Sequence, residues 1–312
     1  LRRSSAASDV YKRQLIYSVI FLAFASSGSE ENKSPYVIAL GIAQDGGVPQ
    51  AGCTKVCCKD RWMKSKKEIY VTSLGIVDPN TKEAWIIEAS PDFKFQHKKL
   101  STDNQIKGLF ITHAHMGHYT GLVHLGREAM GYKNIPLFVA SKMANFLKSN
   151  GPWSQLVELQ NVNLNIIYPN KSLKLNKRLS IVPFQVPHRD EFSETIGFKI
   201  LGPKKTLIFI PDIDKWSRWS DDVLSIIKSN DFALLDGTFY DGEELPGRDM
   251  TEIPHPFIVE SLDFFDSIKD EVQIHFIHIN HTNPVLDSSS KQYKEVLEKG
   301  FDVVKMDQRY EL

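Results

Sequence analysis

The sequence predicts an α/β domain built from two strand-rich halves. Three observations carry that reading. Runs of β-branched and aromatic residues recur in both halves, helical patterns lie between them, and neither an internal repeat nor a long linker divides the chain. Hydrophobic residues make up 42% and charged residues 24% of the 312 residues, close to average globular usage, which argues against a disordered chain or a polytopic membrane protein. The 38 basic side chains balance 38 acidic ones, so the formal net charge is zero and no nucleic-acid partner is expected.

Taken in order, the strand candidates begin with YVIALGIA from Tyr36, YVTSLGIV from Tyr70, AWIIEA from Ala84 and IKGLFIT from Ile106. Asp78-Pro79-Asn80 reads as a hairpin turn between the second and third. Further strands are expected at IPLFVA from Ile135, LSIVPFQV from Leu179, TIGFKIL from Thr195, KTLIFIP from Lys204, FALLDG from Phe232, VQIHFIH from Val272, and VVKM near the end. Helical patterns cover 119–130, 141–149, 215–229, 256–268 and 288–299. The folded domain is expected over 35–312.

Residues 1–34 read as separable. The opening stretch LRRSSAASDVYKRQ has no apolar period that could dock on a core and is treated as extraneous sequence. A basic pair, Lys12 and Arg13, precedes LIYSVIFLAFASS, the pattern of a secretory signal peptide, followed by a polar tether. The apolar run is about half of the roughly 20 residues that span a bilayer, so no integral span is expected in the mature chain. Export to a periplasmic or secreted location follows. The segment also resembles a bacterial lipoprotein signal, but Gly28 stands where a lipid-bearing cysteine is expected, which argues against an anchor.

The strongest chemical signal is Thr112-His113-Ala114-His115-Met116-Gly117-His118, directly after an apolar run. Three imidazoles so closely spaced at a strand-to-loop transition can converge on one or two cations if the backbone turns sharply, which Gly117 permits. Imidazole suits zinc, iron and manganese. His188, Asp212 and His278 each end a later apolar run, and a carboxylate at Asp212 can bridge two cations and offset their charge. Each has a plainer reading alone, for example Asp212 as a helix cap, but the repeated strand-end placement favours a shared site. All three cysteines, Cys53, Cys57 and Cys58, sit in one short stretch and read as metal ligands or reactive thiols.

With these residues in this order, the sequence resembles the metallo-β-lactamase-fold superfamily. GGVPQAGC, EASPDF, VPHRDE, LLDGTF and HINHTNP are most similar to the branch containing the pyrroloquinoline-quinone biosynthesis protein B and the phosphodiesterase of phosphonate breakdown. The resemblance implies a four-layer αββα sandwich with metals at one edge. Carried over, His113, His115 and His188 hold the first metal, His118 and His278 the second, and Asp212 bridges them. The superfamily usually has Asp where Gly117 stands, so the second site is left weak, filled by water, or completed by another carboxylate such as Asp45 or Asp236. The same resemblance implies a structural zinc on Cys53, Cys57, Cys58 and His281. A disulfide among the cysteines stays open, as does an exchange of roles between His278 and His281; ending an apolar strand favours His278 at the active site.

The implied activity is hydrolysis of an ester, phosphodiester, lactone or amide by hydroxide activated on one or two Zn2+ ions, with Fe or Mn as other metals. Asp236 is expected either to orient the late histidine or pass a proton, or simply to bond the turn Gly237-Thr238. The substrate is expected to be a small molecule or short peptide, and a homodimer is compatible with the sequence. The alternatives are an iron-dependent oxidase like the quinone-pathway relative, or a non-catalytic binding protein on the same fold.

Overall fold

The computed structural model describes residues 33–219, 222–245, 247, 249 and 252–312, so the leader-like segment lies outside the described residues. Its strands are β1 (Tyr36–Gly41), β2 (Ser73–Asp78), β3 (Glu83–Ile87), β4 (Gln105–Phe110), β5 (Ile135–Val139), β6 (Val162–Ile166), β7 (Leu173–Lys174), β8 (Ser180–Gln185), β9 (Ile196–Leu201), β10 (Thr206–Ile210), β11 (Phe232–Asp236), β12 (Gln273–Ile277), β13 (Asp302–Val303) and β14 (Arg309–Glu311). They form two seven-stranded sheets, ordered β14-β1-β2-β3-β4-β5-β6 and β13-β12-β11-β10-β9-β8-β7. Ser34–Leu312 is a compact unit.

Side-chain alternation sets the layering. In β3, Trp85 and Ile87 join a core shared by the two sheets, while Ala84 and Ile86 join a different core under helices. In β10, Leu207 and Phe209 face the inter-sheet core, while Ile208 and Ile210 pack under the helices of the other side. Strands buried on both faces read as continuous apolar runs, which is why they stand out in the sequence. Helices α1 (Val56–Trp62), α2 (Phe93–Ser101), α3 (Met116–Tyr119), α4 (Ser141–Ser149), α5 (Trp153–Glu158), α6 (Val223–Lys228), α7 (Ile258–Phe264) and α8 (Lys291–Glu298) complete the set. Met143 and Leu147 of α4 and Leu156 of α5 cover the first sheet. Val223, Ile258 and Val296 of α6, α7 and α8 cover the second, giving the αββα sandwich.

Several elements depart from the sequence expectations. The helix expected over 119–130 is replaced by the single turn α3 and a 3-10 segment, Thr120–Leu125. The helix expected over 215–229 divides into a 3-10 turn, Trp216–Arg218, and α6. Strand β6 was not expected, because its sequence VNLNI alternates with Asn, a poor strand former, and it lies at a sheet edge where packing demands less. The hairpin at Asp78-Pro79-Asn80 forms, with β2 and β3 antiparallel and Asp78 opposite Glu83.

Topology gathers the strand ends. Strands β10, β11 and β12 are parallel, and two antiparallel steps through β9 bring β8 back to the same direction. The carboxyl ends preceding His188, Asp212, Asp236 and His278 therefore all meet one edge of the second sheet. In the first sheet, parallel β3 and β4 deliver Glu88 and His113 together. Loops stitch the two edges: Ile196 N–H donates to Thr112 O at 3.1 Å, Ala114 N–H to Ser193 Oγ at 2.9 Å, and Ile279 N–H to Ile42 O at 2.8 Å.

Candidate metal centre

Asp212 is the hub of this edge and is 3% exposed. Its Oδ2 lies 3.3 Å from His113 Nε2, 3.7 Å from His118 Nε2 and 3.9 Å from His115 Nδ1. Its Oδ1 lies 3.2 Å from His188 Nε2 and 3.2 Å from His255 Nδ1. The donor atoms of His113, His115, His188 and Asp212 lie within 4.8 Å of one another, as do those of Asp45, His118 and His278, and those of Asp212, Asp236, His255 and His278. Asp45 Oδ1 is 3.4 Å from His118 Nε2 and 3.5 Å from His278 Nε2.

The backbone is forced where it aims these groups. His278 has φ of 65° and Glu88 has φ of 72°, left-handed values rare for residues with a Cβ and typical of functional sites that the surrounding fold over-determines. His115 stays extended at the entry to α3, so one helical turn carries the chain from His115 to His118.

Outer partners fix which ring nitrogen points inward. Thr112 Oγ1 is 2.9 Å from His113 Nδ1, and Glu88 Oε1 is 3.2 Å from His118 Nδ1. Thr238 Oγ1 donates to Asp236 Oδ1 at 2.7 Å, so its single proton is committed and it accepts from His278 Nδ1–H at 3.0 Å. His278 Nε2 is then left with a bare lone pair. Among the described residues, His113 Nε2, His118 Nε2, His188 Nε2, His278 Nε2, Asp212 Oδ1 and Asp45 Oδ1 are buried without a hydrogen bond. Converging lone pairs with no donor are costly unless a cation fills them, and imidazoles backed by carboxylate or hydroxyl partners are the usual metal-ligand arrangement. The donor set therefore fits one or two cations.

The imidazoles differ in their electrostatics: burial opposes charge on His118 and His115, yet Glu88 and Asp45 hold His118 well above its usual range, and Asp212 and Glu191 raise His115. Burial, followed by the neighbouring His118, holds the His113 imidazole well below its usual range, leaving it neutral and able to donate a lone pair. Burial opposes charge on Asp212, yet His188, His255, His113 and His115 keep its carboxyl well below the usual range. Burial likewise opposes charge on His255, but Asp236 and Asp212 push its imidazole up to about 9.

His255 is the site residue that sequence reasoning missed. Its Nδ1 lies 2.8 Å from Asp236 Oδ2. It sits in the irregular segment before α7 rather than at the end of an apolar strand, so the strand-end rule that singled out the others passes over it. Asp236 does not reach His278 directly. Its Oδ1 accepts from Thr238 N and Oγ1, and its Oδ2 accepts from Ile213 N and faces His255, so the turn-bonding role and an orienting role acting through Thr238 coexist.

Gly117 does not make the expected sharp turn; it lies in the helical turn of α3, outside the left-handed region. A Cβ there would press on the Asp45 carboxylate, 2.7 Å from Asp45 Cα and 2.8 Å from its Cγ.

A second cluster lies on the loop after Asp45. Cys53, Cys57, Cys58 and His281 bring donor atoms within 4.8 Å of one another, and the cysteines are free, with Sγ separations of 3.8 Å for Cys53–Cys57 and 4.0 Å for Cys57–Cys58. Burial and the neighbouring thiols push Cys57 up to about 12, a repulsion that a shared cation would relieve. His281 has neither ring nitrogen hydrogen-bonded among the described residues. His278 faces Asp45 and His281 faces the thiols.

A chain with this sandwich and this edge is a metallo-β-lactamase-fold protein, and residues 85–279 match the Beta-lactamase superfamily domain. The chain belongs to that superfamily. It is 25% identical over 302 residues to a Coenzyme PQQ synthesis protein B of Pseudomonas putida, an alignment covering 86% of this chain and 97% of the relative. Among solved structures it superposes on Zn2+-bound PqqB from Methylobacterium extorquens with a TM-score of 0.77 at 23% identity, covering 89% of this chain and 100% of that one. A diphosphatase from the PhnP family superposes with a TM-score of 0.66 at 18% identity, covering 90% and 98%.

Proposed function

We propose that this protein is a metal-dependent hydrolase that delivers activated hydroxide to an ester, phosphodiester, lactone or amide. The observation that carries the reading is the convergence of buried, unpartnered donor atoms from His113, His188, His118 and His278 around Asp212, with His115 Nδ1 3.9 Å from the same carboxylate and its Nε2 on Glu191. In this reading His113, His115, His188 and Asp212 form the first cation site, and His118 and His278 contribute to a second. Zinc is the first choice, with iron or manganese accepted by the same donors. One or two bound cations would supply an acidified water, with a pKa lowered from 15.7 to about 7, and a Lewis acid for the substrate oxygen.

The chain's own residues do the rest. Thr112, Glu88 and Thr238 hold the imidazoles in orientation, and Asp212 carries negative charge between the two donor groups. Asp236 positions His255, the histidine left over once the cation shells are assigned, to hold a proton beside Asp212 and pass it to a leaving group. His115 and Asp45 are the more exposed members, with side chains 13% and 29% accessible, so substrate approaches from their side. The substrate is a small molecule or short peptide, and the leader-like segment supports an exported, periplasmic or secreted setting.

Four of the aromatics near these strands, Trp216, Trp219, Phe239 and Tyr240, are buried and pack as core.

A second reading, iron-dependent oxidation, is favoured by the similarity to Coenzyme PQQ synthesis protein B. One experiment separates them. Protein stripped by chelator and reloaded with zinc, manganese or iron is assayed on a panel of ester, phosphodiester, lactone and amide substrates, with oxygen uptake followed in parallel. Hydrolysis restored by zinc without oxygen uptake is expected. Turnover only with iron and oxygen would overturn the hydrolase reading. With the hydrolase assay in hand, His255→Gln is expected to lower kcat by roughly 10²-fold with KM little changed, most strongly for substrates with poor leaving groups. Equal loss across good and poor leaving groups would remove proton transfer as its role.

A further inference from the structure

We propose that Asp45 and Gly117 have exchanged roles: the carboxylate that the resembled superfamily places at position 117 comes here from the loop after β1, and Asp45 completes the second cation shell with His118, His278 and Asp212. The inference rests on the reading of this edge as a metal centre and goes beyond it by naming the missing ligand.

Two independent observations meet. Asp45 Oδ1 lies 3.4 Å and 3.5 Å from the Nε2 atoms of His118 and His278, and none of these three buried atoms has a hydrogen-bond partner among the described residues. Both rings are fully buried, and their Nδ1 atoms are occupied by Glu88 and Thr238, so the free nitrogens face only this space. At the same time, any side chain at 117 would collide with Asp45, whose Cα and Cγ stand 2.7 and 2.8 Å from where a Cβ would be. A carboxylate at 45 and a side chain at 117 compete for the same volume. Glycine at 117 is therefore the counterpart of Asp45, and the second site has not simply lost its acid.

Asp236, the other candidate, is excluded by its bonding. Thr238 N and Oγ1 engage one of its oxygens, and Ile213 N and His255 engage the other. The neighbouring backbone holds Asp45 in place: Gln44 N–H donates to Ile279 O at 2.9 Å and Gly47 N–H to Gln44 O at 2.8 Å, tying the Asp45 turn to the segment just beyond His278.

The test reads metal, not activity. Full-length protein is stripped and titrated with zinc, the bound metal is counted by elemental analysis, and the cysteine-bound ion is identified separately through its thiolate charge-transfer absorption after cobalt substitution. The parent is expected to bind two ions outside the cysteine cluster. Asp45→Ala keeps one and binds the other at least about a hundredfold more weakly, beyond the 10- to 100-fold typical of losing an outer-shell partner. Gly117→Ala produces the same selective loss by displacing the carboxylate, and Asp45→Asn, which preserves shape, guards against a folding artefact by weakening the same ion. Two ions bound with parental affinity by Asp45→Ala, or an unchanged second ion in Gly117→Ala, would overturn the exchange. If parent and Asp45→Ala both bind one such ion equally, the exchange is wrong while a one-metal hydrolase stands. If neither binds an ion outside the cysteines, the metal-centre reading falls too.

Discussion

On the proposed hydrolase reading, His113→Ala is expected to lose one of the ions assigned to the donors around Asp212 and to lower hydrolysis by roughly a thousandfold or more. His113 is 1% exposed, and its Nε2 stands 3.3 Å from Asp212 Oδ2 at the centre of the first donor group. Its Nδ1 is taken up by Thr112, so Nε2 is the inward donor that the alanine variant removes. The size of the effect follows from water chemistry. An ion that lowers the pKa of water from 15.7 to about 7 changes the hydroxide available at neutrality by about eight powers of ten, so weakened binding at this position removes much of the driving force. Elemental analysis beside rate measurements checks the expectation. Retention of both metal and rate would place the chemistry elsewhere on the molecule.

Cys53→Ser is expected to do the reverse, losing a separate zinc and folded stability while leaving His113, His115, His188 and Asp212 loaded. The cluster draws Cys53 from the loop before α1, Cys57 and Cys58 from α1 itself and His281 from the loop after β12, so an ion there cross-links two segments distant in sequence. Because ligand binding by such a site is folding free energy, its removal is expected to cost about 2–4 kcal/mol, or roughly 5–10 °C in Tm for a domain of this size. Asp45 precedes the cysteines on the same loop, and His278 lies three residues before His281, so the second ion proposed near Asp45 is also expected to bind less tightly. Thermal unfolding and metal counting test this together. An unchanged Tm with one fewer zinc would show that the ion staples nothing, and an unchanged zinc count would remove Cys53 from the ligand set.

Much of the fold was legible because its central strands are buried on both faces. The runs at β1, β10 and β11 are almost wholly apolar and buried, β4 and β12 finish in buried apolar residues, and the strand ends carry His113, Asp212, Asp236 and His278. Elements at the margins were harder to read. Edge strand β6 alternates with asparagine, and helices α1, α2 and α5 are short enough that packing rather than local pattern decides them. Glycine at 117 was legible as an oddity, but its meaning was not. A sequence pattern reports which residues are neighbours along the chain, whereas the collision between residues 45 and 117 exists only after two loops meet.

By itself, then, the sequence determined the residue types, their order and their attachment to strand ends, which is enough to specify an α/β domain of two strand-rich halves and to suggest a metal edge, because local periodicity is encoded locally, while the sandwich followed only from the family resemblance. The tertiary structure alone decided the partnerships: His255 with Asp236, His278 facing Asp45 while His281 faces the thiols, and Asp45 in the space that Gly117 leaves open. Those depend on distances between loops from different sheets, set by how two twisted layers pack their shared core.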